Sequence, residues 1–135
     1  MRAHASVAEL AARVAPEGDV LVVDEDVDAL ELVRSSCDEP NVFYLVGWLA
    51  VLPLTDASVD EVVARGAPSE ETAAEVFRVL RAGGSVELEA GNEDQGPAAL
   101  NVDEHEAERL FTDAGFAAVT VRALEDRLSV AARKP

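Results

Sequence analysis

Cysteine and lysine are almost absent from this chain of 135 residues, and each absence limits what the protein can be. Cys37 is the only cysteine, so no internal disulfide can form, and we expect a reducing compartment, the cytoplasm. Its helical context favours a small buried side chain over a reactive thiol. No apolar run approaches the roughly 20 residues that a membrane helix needs, and residues 1–6 lack an apolar signal core. The sequence therefore predicts neither a membrane protein nor an exported one.

Basic residues are scarce as well, and acidic residues dominate. The chain has 27 acidic residues against 11 basic ones, a net charge of −16, and Lys134 is its single lysine. Molar salt would screen the resulting self-repulsion, because the Debye length falls to about 3 Å at 1 M. We therefore expect a halophilic, GC-rich source, with an ordinary acidic bacterial protein as the alternative. Binding to nucleic acid or to an anionic membrane is not expected, since both need clustered Lys and Arg.

Extended and helical patterns alternate along the whole chain, with no linker that would divide residues 1–135 into two domains. Apolar runs predict strands at 20–23, 42–46, 59–64 and 85–90, and apolar spacing predicts helices starting near residues 6, 26, 69 and 103. Gly83–Gly84 is expected to stop the third helix. Segments 116–122 and 127–132 alternate in polarity and predict a terminal antiparallel hairpin. These features indicate one α/β domain whose sheet is mostly parallel.

Four short motifs, taken in order, resemble those of the class I S-adenosylmethionine (SAM) methyltransferases that act on small molecules. They are LPLTDASVD at 52–60, RVLRAGG at 78–84, AGF at 114–116 and ARKP at 132–135. The similarity covers the chain from about residue 6 to its end, and it implies a Rossmann-like three-layer sandwich with a C-terminal antiparallel hairpin. In that family a central strand and a glycine-rich turn precede the first helix. Here the chain starts after that point, so the first strand of the fold is expected to be missing.

The resemblance also implies where a cofactor would be held. Asp24 falls at the end of the second family strand, where an acidic residue accepts both ribose hydroxyls; a helix-entry role is the alternative. Ala3 and Ala5 fall near glycine positions of the missing turn, where a Cβ would crowd the ligand. Gly47–Trp48 replaces an expected Gly-Asp, and an indole cannot accept a proton from adenine. If SAM binds, the expected contacts are Asp24, Glu25, Gly47, Trp48, Leu49 and Arg65.

Other candidate chemistry is sparse. His105 is not part of a zinc helix, because Arg109 stands where the second histidine of H-E-x-x-H belongs. The segment 91–96, GNEDQG, lacks the Lys and Ser/Thr of a phosphate-binding loop and is acidic, although a substrate role for this loop stays open. Trp48 is interpreted as a packed side chain, a purine-stacking platform, a plug or an interface residue. No metal site and no catalytic side chain is predicted.

Two functional hypotheses follow, and whether the chain is an enzyme is left open. The first is a degenerate methyltransferase-like domain without methyl transfer, which acts as a homodimer or with a protein partner. Loss of a central strand would leave either a closed-up sheet or an exposed apolar seam that favours association. The second is an active SAM-dependent methyltransferase with an atypical or subunit-shared cofactor site. A third alternative, the end of a longer reading frame, is disfavoured by the capping box of Ser6 and Glu9.

Overall fold

A computed structural model describes residue 12 and residues 18–24, 26–36, 40–47, 49–66, 68–90, 103–123 and 128–135. The strands within these ranges are β1 (Val20–Asp24), β2 (Val42–Val46), β3 (Val59–Arg65), β4 (Leu80–Ala90), β5 (Ala117–Ala123) and β6 (Leu128–Arg133). The helices within them are α1 (Val27–Ser36), α2 (Glu70–Val79) and α3 (Glu104–Ala114). From residue 18 onward the predicted alternation of strands and helices, with its terminal hairpin, is confirmed. The helix predicted to start near residue 6 lies outside the described residues, apart from residue 12.

The six strands form one mixed sheet in the order β2-β1-β3-β4-β6-β5. The first four strands in this order are parallel, and β6 runs antiparallel to both β4 and β5. At the centre β1 pairs directly with β3, with Val20 opposite Glu61 and Val23 opposite Ala64. The described strands therefore form a closed-up sheet, one of the two arrangements expected above.

Helices cover both faces of the sheet, which produces the predicted three-layer sandwich. On one face α2 and α3 pack over the main core, where Val62, Leu80 and Phe111 are completely buried. On the other face α1 places Leu30 against Val20 and its neighbours in β1, β2 and β3. All five residues of β1 are buried, as expected for an uninterrupted apolar strand that is covered on both sides.

The helix ends follow local chemistry that can be recognised in the sequence. Ser69 Oγ accepts the backbone N–H of Thr72 at 3.1 Å and caps α2. Asp103 Oδ1 accepts the N–H of Glu106 at 2.8 Å and caps α3. Gly115 ends α3 in the left-handed region with φ 115°, a conformation that favours glycine.

The end of α2 differs from the prediction. The helix stops at Val79 instead of continuing to the double glycine, and Leu80 is already extended, with φ −76° and ψ 140°. Gly83 and Gly84 lie inside β4, where Gly83 N–H donates to the carbonyl of Lys134 and Lys134 N–H donates to the carbonyl of Gly84, both at 2.8 Å. Pairing with the end of the chain thus extends the strand backwards through the glycines.

Several predictions lie outside the described residues: the capping box of Ser6 and Glu9, the positions of Ala3 and Ala5, Cys37, and the loop 91–100. Within the ranges given above, no helix is long and apolar enough to cross a membrane.

Candidate functional site

The carboxyl ends of β1 and β3 lie where the chain reverses its direction across the sheet. From β1 the chain moves outward to β2 and then returns past β1 to β3. Ligands of open α/β sheets bind outside the carboxyl ends of the strands at such a point, so this edge is the candidate functional site. Four of the predicted contacts can be located: Asp24, Gly47, Leu49 and Arg65. Glu25 and Trp48 lie outside the described residues.

The Asp24 carboxylate faces donors of its own chain. Its Oδ1 accepts the backbone N–H of Asp26 at 2.9 Å, and its Oδ2 lies 3.6 Å from Nη1 of Arg65. The Asp24 side chain is 11% exposed, whereas that of Arg65 is 46% exposed. The first contact shapes the entry to α1, and the second links the ends of two neighbouring strands. Asp24 therefore has a structural task at this edge.

The other two located residues differ in their surroundings. Gly47 N–H donates to the Asp24 carbonyl at 3.1 Å and ties the end of β2 to the end of β1. The nearest atom to a Cβ added there would be Cγ of Leu45 at 4.0 Å, so no close contact requires glycine. Leu49 is 5% exposed and belongs to the main core. The structure thus brings Asp24, Gly47 and Arg65 together at the edge and turns Leu49 inward.

A different group of polar contacts, around Arg78 in α2, was not predicted from the sequence. Arg78 Nη1 donates to the Leu54 carbonyl at 2.7 Å and to Asp56 at 2.8 Å, and Nη2 donates to the Leu52 carbonyl at 3.0 Å. Its Nε donates to Glu75 at 2.7 Å, while Glu75 also accepts Leu52 N–H at 3.0 Å. Hydrogen bonds to Glu75 and then to Asp56 raise the pKa of Arg78. This network fastens segment 52–56 to α2.

Lys134 and an aromatic pair lie beside this network. Lys134 Nζ donates to the carbonyls of Phe77 and Leu80 at 2.8 and 2.7 Å, and it lies 4.6 Å from the centre of the Phe77 ring. Phe77 meets Phe116 edge to face, with ring centres 5.0 Å apart. A Cβ added to Gly115 would lie 2.9 Å from Cζ of Phe77. The chain end and the start of the terminal hairpin therefore both pack against the end of α2.

The four family-like motifs consequently meet one another. Segments 52–60 and 78–84 are joined by Arg78, and segments 114–116 and 132–135 both contact Phe77 next to it. Their meeting place is the edge where β3 and β4 begin, because β6 is antiparallel and its end lies beside the start of β4. This edge is opposite the candidate functional site. What the chain shares with the methyltransferases at these motifs holds the fold together.

A cleft of about 330 Å³ lies between α2 and α3. It is lined by Glu70, Ala74, Glu106, Arg109, Leu110, Asp113 and Ala114. Arg109 donates to Glu106 at 2.5 Å and lies 4.0 Å from Asp113, so charges in the lining pair with each other. Among the residues that the structure describes, no group of three or more His, Cys, Asp or Glu side chains could hold a metal ion.

We expect replacement of Glu75 by glutamine to remove one source of acid sensitivity. Hydrogen bonding to Arg78 lowers the pKa of Glu75 below its ordinary 4.5. The stabilisation is therefore fully present above pH 4.5 and is lost as the pH falls through the lower, folded-state pKa. At neutral pH, Glu75→Gln should cost about 1–2 kcal/mol, the contribution of a hydrogen bond to a charged group.

Urea unfolding from neutral pH to pH 3 measures this difference. The wild type should lose more stability than Glu75→Gln over the acid range, so that the two curves converge. A matched control is Glu31→Gln, which removes an exposed partner of Arg34 at the same spacing, three residues apart, and should have little effect. Parallel pH profiles for Glu75→Gln and the wild type would contradict the assignment.

Solved structures that share this fold include SAM-dependent methyltransferases. One from Thermotoga maritima matches with a TM-score of 0.59 and 16% identity, covering 96% of this chain and 88% of the other. One from Aquifex aeolicus matches with a TM-score of 0.61 and 20% identity, covering 92% and 73%. A candidate methyltransferase from Haloferax volcanii, in complex with the Trm112 methyltransferase activator, has a TM-score of 0.60 and 17% identity, covering 96% and 89%.

In sequence, no family model and no curated protein matches the chain. The structural likenesses, at these identities, define the fold. The domain has the class I fold of the SAM-dependent methyltransferases, as its four motifs predicted.

Proposed function

We propose that this chain is a methyltransferase-like domain that does not transfer methyl groups and acts by binding protein, as a homodimer or with another partner. The observation that carries this proposal is the direct pairing of β1 with β3. The turn that would cradle the cofactor follows a central strand in the family. With β1 and β3 hydrogen-bonded to each other, the centre of the sheet is already filled.

The geometry of Asp24 supports the same conclusion. A ribose needs a carboxylate with two accessible acceptor oxygens. In this chain one oxygen accepts the Asp26 N–H, the other faces Arg65, and the side chain is 11% exposed. The small exposed fraction of the carboxylate leaves a ribose little access to it, and we derive no reaction that depends on SAM.

The position of the shared motifs is a third support. All four meet where β3 and β4 begin, and each has a packing or hydrogen-bonding role there. These roles in the fold explain why the chain carries the four motifs. None of the four motifs requires a cofactor. A scaffold of this kind is free to serve as a binding surface.

Protein partners are compatible with this fold. The Haloferax volcanii candidate methyltransferase is bound to an activator protein. The strong negative charge and the single cysteine lead us to place the protein in the cytoplasm of a halophilic organism.

Calorimetric titration of SAM and of S-adenosylhomocysteine into the protein in molar KCl tests the proposal. We expect no binding heat at millimolar ligand, with circular dichroism recorded on the same sample to show that it is folded. A dissociation constant of about 100 μM or tighter would contradict the proposal and favour the alternative, an active small-molecule methyltransferase with an atypical or subunit-shared site.

Asp24→Ala separates the two hypotheses further. Under our proposal, titration of SAM into this variant gives no binding heat, as with the wild type. The variant should have a lower free energy of unfolding, because the Asp26 N–H loses its acceptor. Asp28→Ala, an exposed carboxylate in the first turn of α1, is the matched control. If the wild type binds SAM and only Asp24→Ala abolishes binding, Asp24 is a cofactor ligand and the proposal fails.

A further inference from the structure

The two ends of the sheet are protected to very different degrees. At one end β5 carries a register shift between Ala117 and Thr120, with Ala118 at φ 53°, and it exposes the charged Arg122. Bulges and charges at an edge discourage pairing with another chain. At the other end of the described sheet, β2 pairs with β1 in unbroken register, and none of its five residues, VFYLV, is charged.

Apolar side chains of β2 are exposed to solvent. Phe43 is 51% exposed and Val46 is 49% exposed, in a chain with a net charge of −16. A regular, uncharged edge strand with exposed apolar side chains is the kind of edge that pairs with another strand. A partner strand here would also meet no acidic side chain of β2.

The backbone of β2 is oriented for such pairing. The Asn41 carbonyl accepts Val20 N–H at 2.9 Å, and Gly47 N–H donates to the Asp24 carbonyl at 3.1 Å. Residues 41 and 47 therefore direct their backbone groups toward β1. Because direction alternates along a strand, Val42 and Val46 direct theirs away from the sheet.

The strand is complementary to itself. In antiparallel pairing about Tyr44, Val42 lies opposite Val46 of the second copy, and their outward N–H and C=O groups face each other. Phe43 then lies opposite Leu45 of the second copy on one face of the joined sheet, an aromatic–aliphatic pair that stabilises neighbouring strands. A twofold axis repeats each of these contacts, as an isologous dimer requires.

The same twofold axis brings the two copies of α1 together. Strands are spaced about 4.8 Å apart, so a helix over the β1–β2 pair and its copy would lie about 10 Å apart, the separation of packed helices. α1 also exposes two aliphatic side chains, Val27 and Leu32, at 57% and 73%.

We infer that β2 is the dimer interface of this protein and pairs antiparallel with β2 of a second copy to form one continuous sheet. The inference rests on the proposed function, because it names the partner through which the domain acts. It assigns the association to the sheet edge and not to the closed centre.

Analytical ultracentrifugation of the full chain in molar KCl, at tens of micromolar, tests the interface. The wild type should sediment with twice the 14.3 kDa mass of one chain. Val46→Lys places a charge on the edge, and Val46→Pro removes an outward N–H without breaking a bond to β1. Each should raise the dissociation constant at least about tenfold. Thr120→Lys, exposed on the opposite edge strand, is the matched control and should stay dimeric.

Circular dichroism of each variant establishes that it is folded. A monomeric wild type, or a dimer that both Val46 variants leave unchanged, would overturn the inference. A monomer that also fails to bind SAM would leave the proposed function with a different protein partner. A dimer that binds SAM would overturn the proposed function and retain the interface.

Discussion

Replacing Phe111 by alanine should lower the free energy of unfolding by about 3–5 kcal/mol, the usual cost of removing a fully buried aromatic ring. Phe111 is 0% exposed in α3, and its ring centre lies 5.5 Å from that of Phe116. Phe116 in turn contacts Phe77 in α2. The Phe111 ring therefore links α3 to the edge of the sheet where β3 and β4 begin. Since the total free energy of unfolding of a native protein is only about 5–15 kcal/mol, the variant should be close to unfolding.

Urea unfolding, followed by circular dichroism at one fixed protein concentration, measures the loss. The fixed concentration matters because dimerisation adds to apparent stability. Phe77→Ala is the matched control: the same atoms are removed from a ring that is only partly buried, and the loss should be smaller. Equal losses in the two variants would show that the core is centred elsewhere.

Features of this fold that depend on neighbours in sequence could be predicted from the sequence. Ser69 and Asp103 cap helices because their side-chain oxygens reach N–H groups three residues ahead. Gly115 ends a helix because glycine tolerates φ 115°. The apolar run 20–23 predicts a strand covered on both faces, and β1 is such a strand.

Features that depend on distant contacts could not be predicted in this way. The helix α2 ends at Val79, where the carbonyls of Arg78 and Val79 accept N–H groups of Ala57 and Ser58, more than twenty residues earlier in the chain. Arg78 donates hydrogen bonds to carbonyls in segment 52–56. The motif RVLRAGG, which contains Arg78, does not indicate which carbonyls these are. Both contacts exist only once the sheet has formed.

The candidate site illustrates the same limit. The sequence places Asp24 after a strand, which fits both a ribose ligand and a helix-entry residue. The structure adds the contacts to Asp26 and Arg65, and it adds the direct pairing of β1 with β3. Exposure of Phe43 and Val46 depends equally on the order of the strands, since an apolar run is compatible with a central or an edge position.

Replacing Gly84 by alanine should lower stability by about 3 kcal/mol, at the upper end of the cost of overpacking. An added Cβ would lie 2.5 Å from the backbone carbonyl oxygen of Asp60 and 3.0 Å from that of Arg81. Both carbonyls lie in the register shift between the pairs Val59–Leu80 and Glu61–Ser85, and these flanking pairs limit how far either carbonyl can move. The glycine is therefore required by the approach of one strand to another and not by a ligand.

Gly83→Ala is the matched control for this prediction. Gly83 has φ 86° but no atom within 4 Å of an added Cβ, so alanine there incurs only the left-handed backbone strain of about 1 kcal/mol. Urea unfolding should rank the wild type, Gly83→Ala and Gly84→Ala in order of falling stability. The reverse order of the two variants would remove the packing explanation for the double glycine.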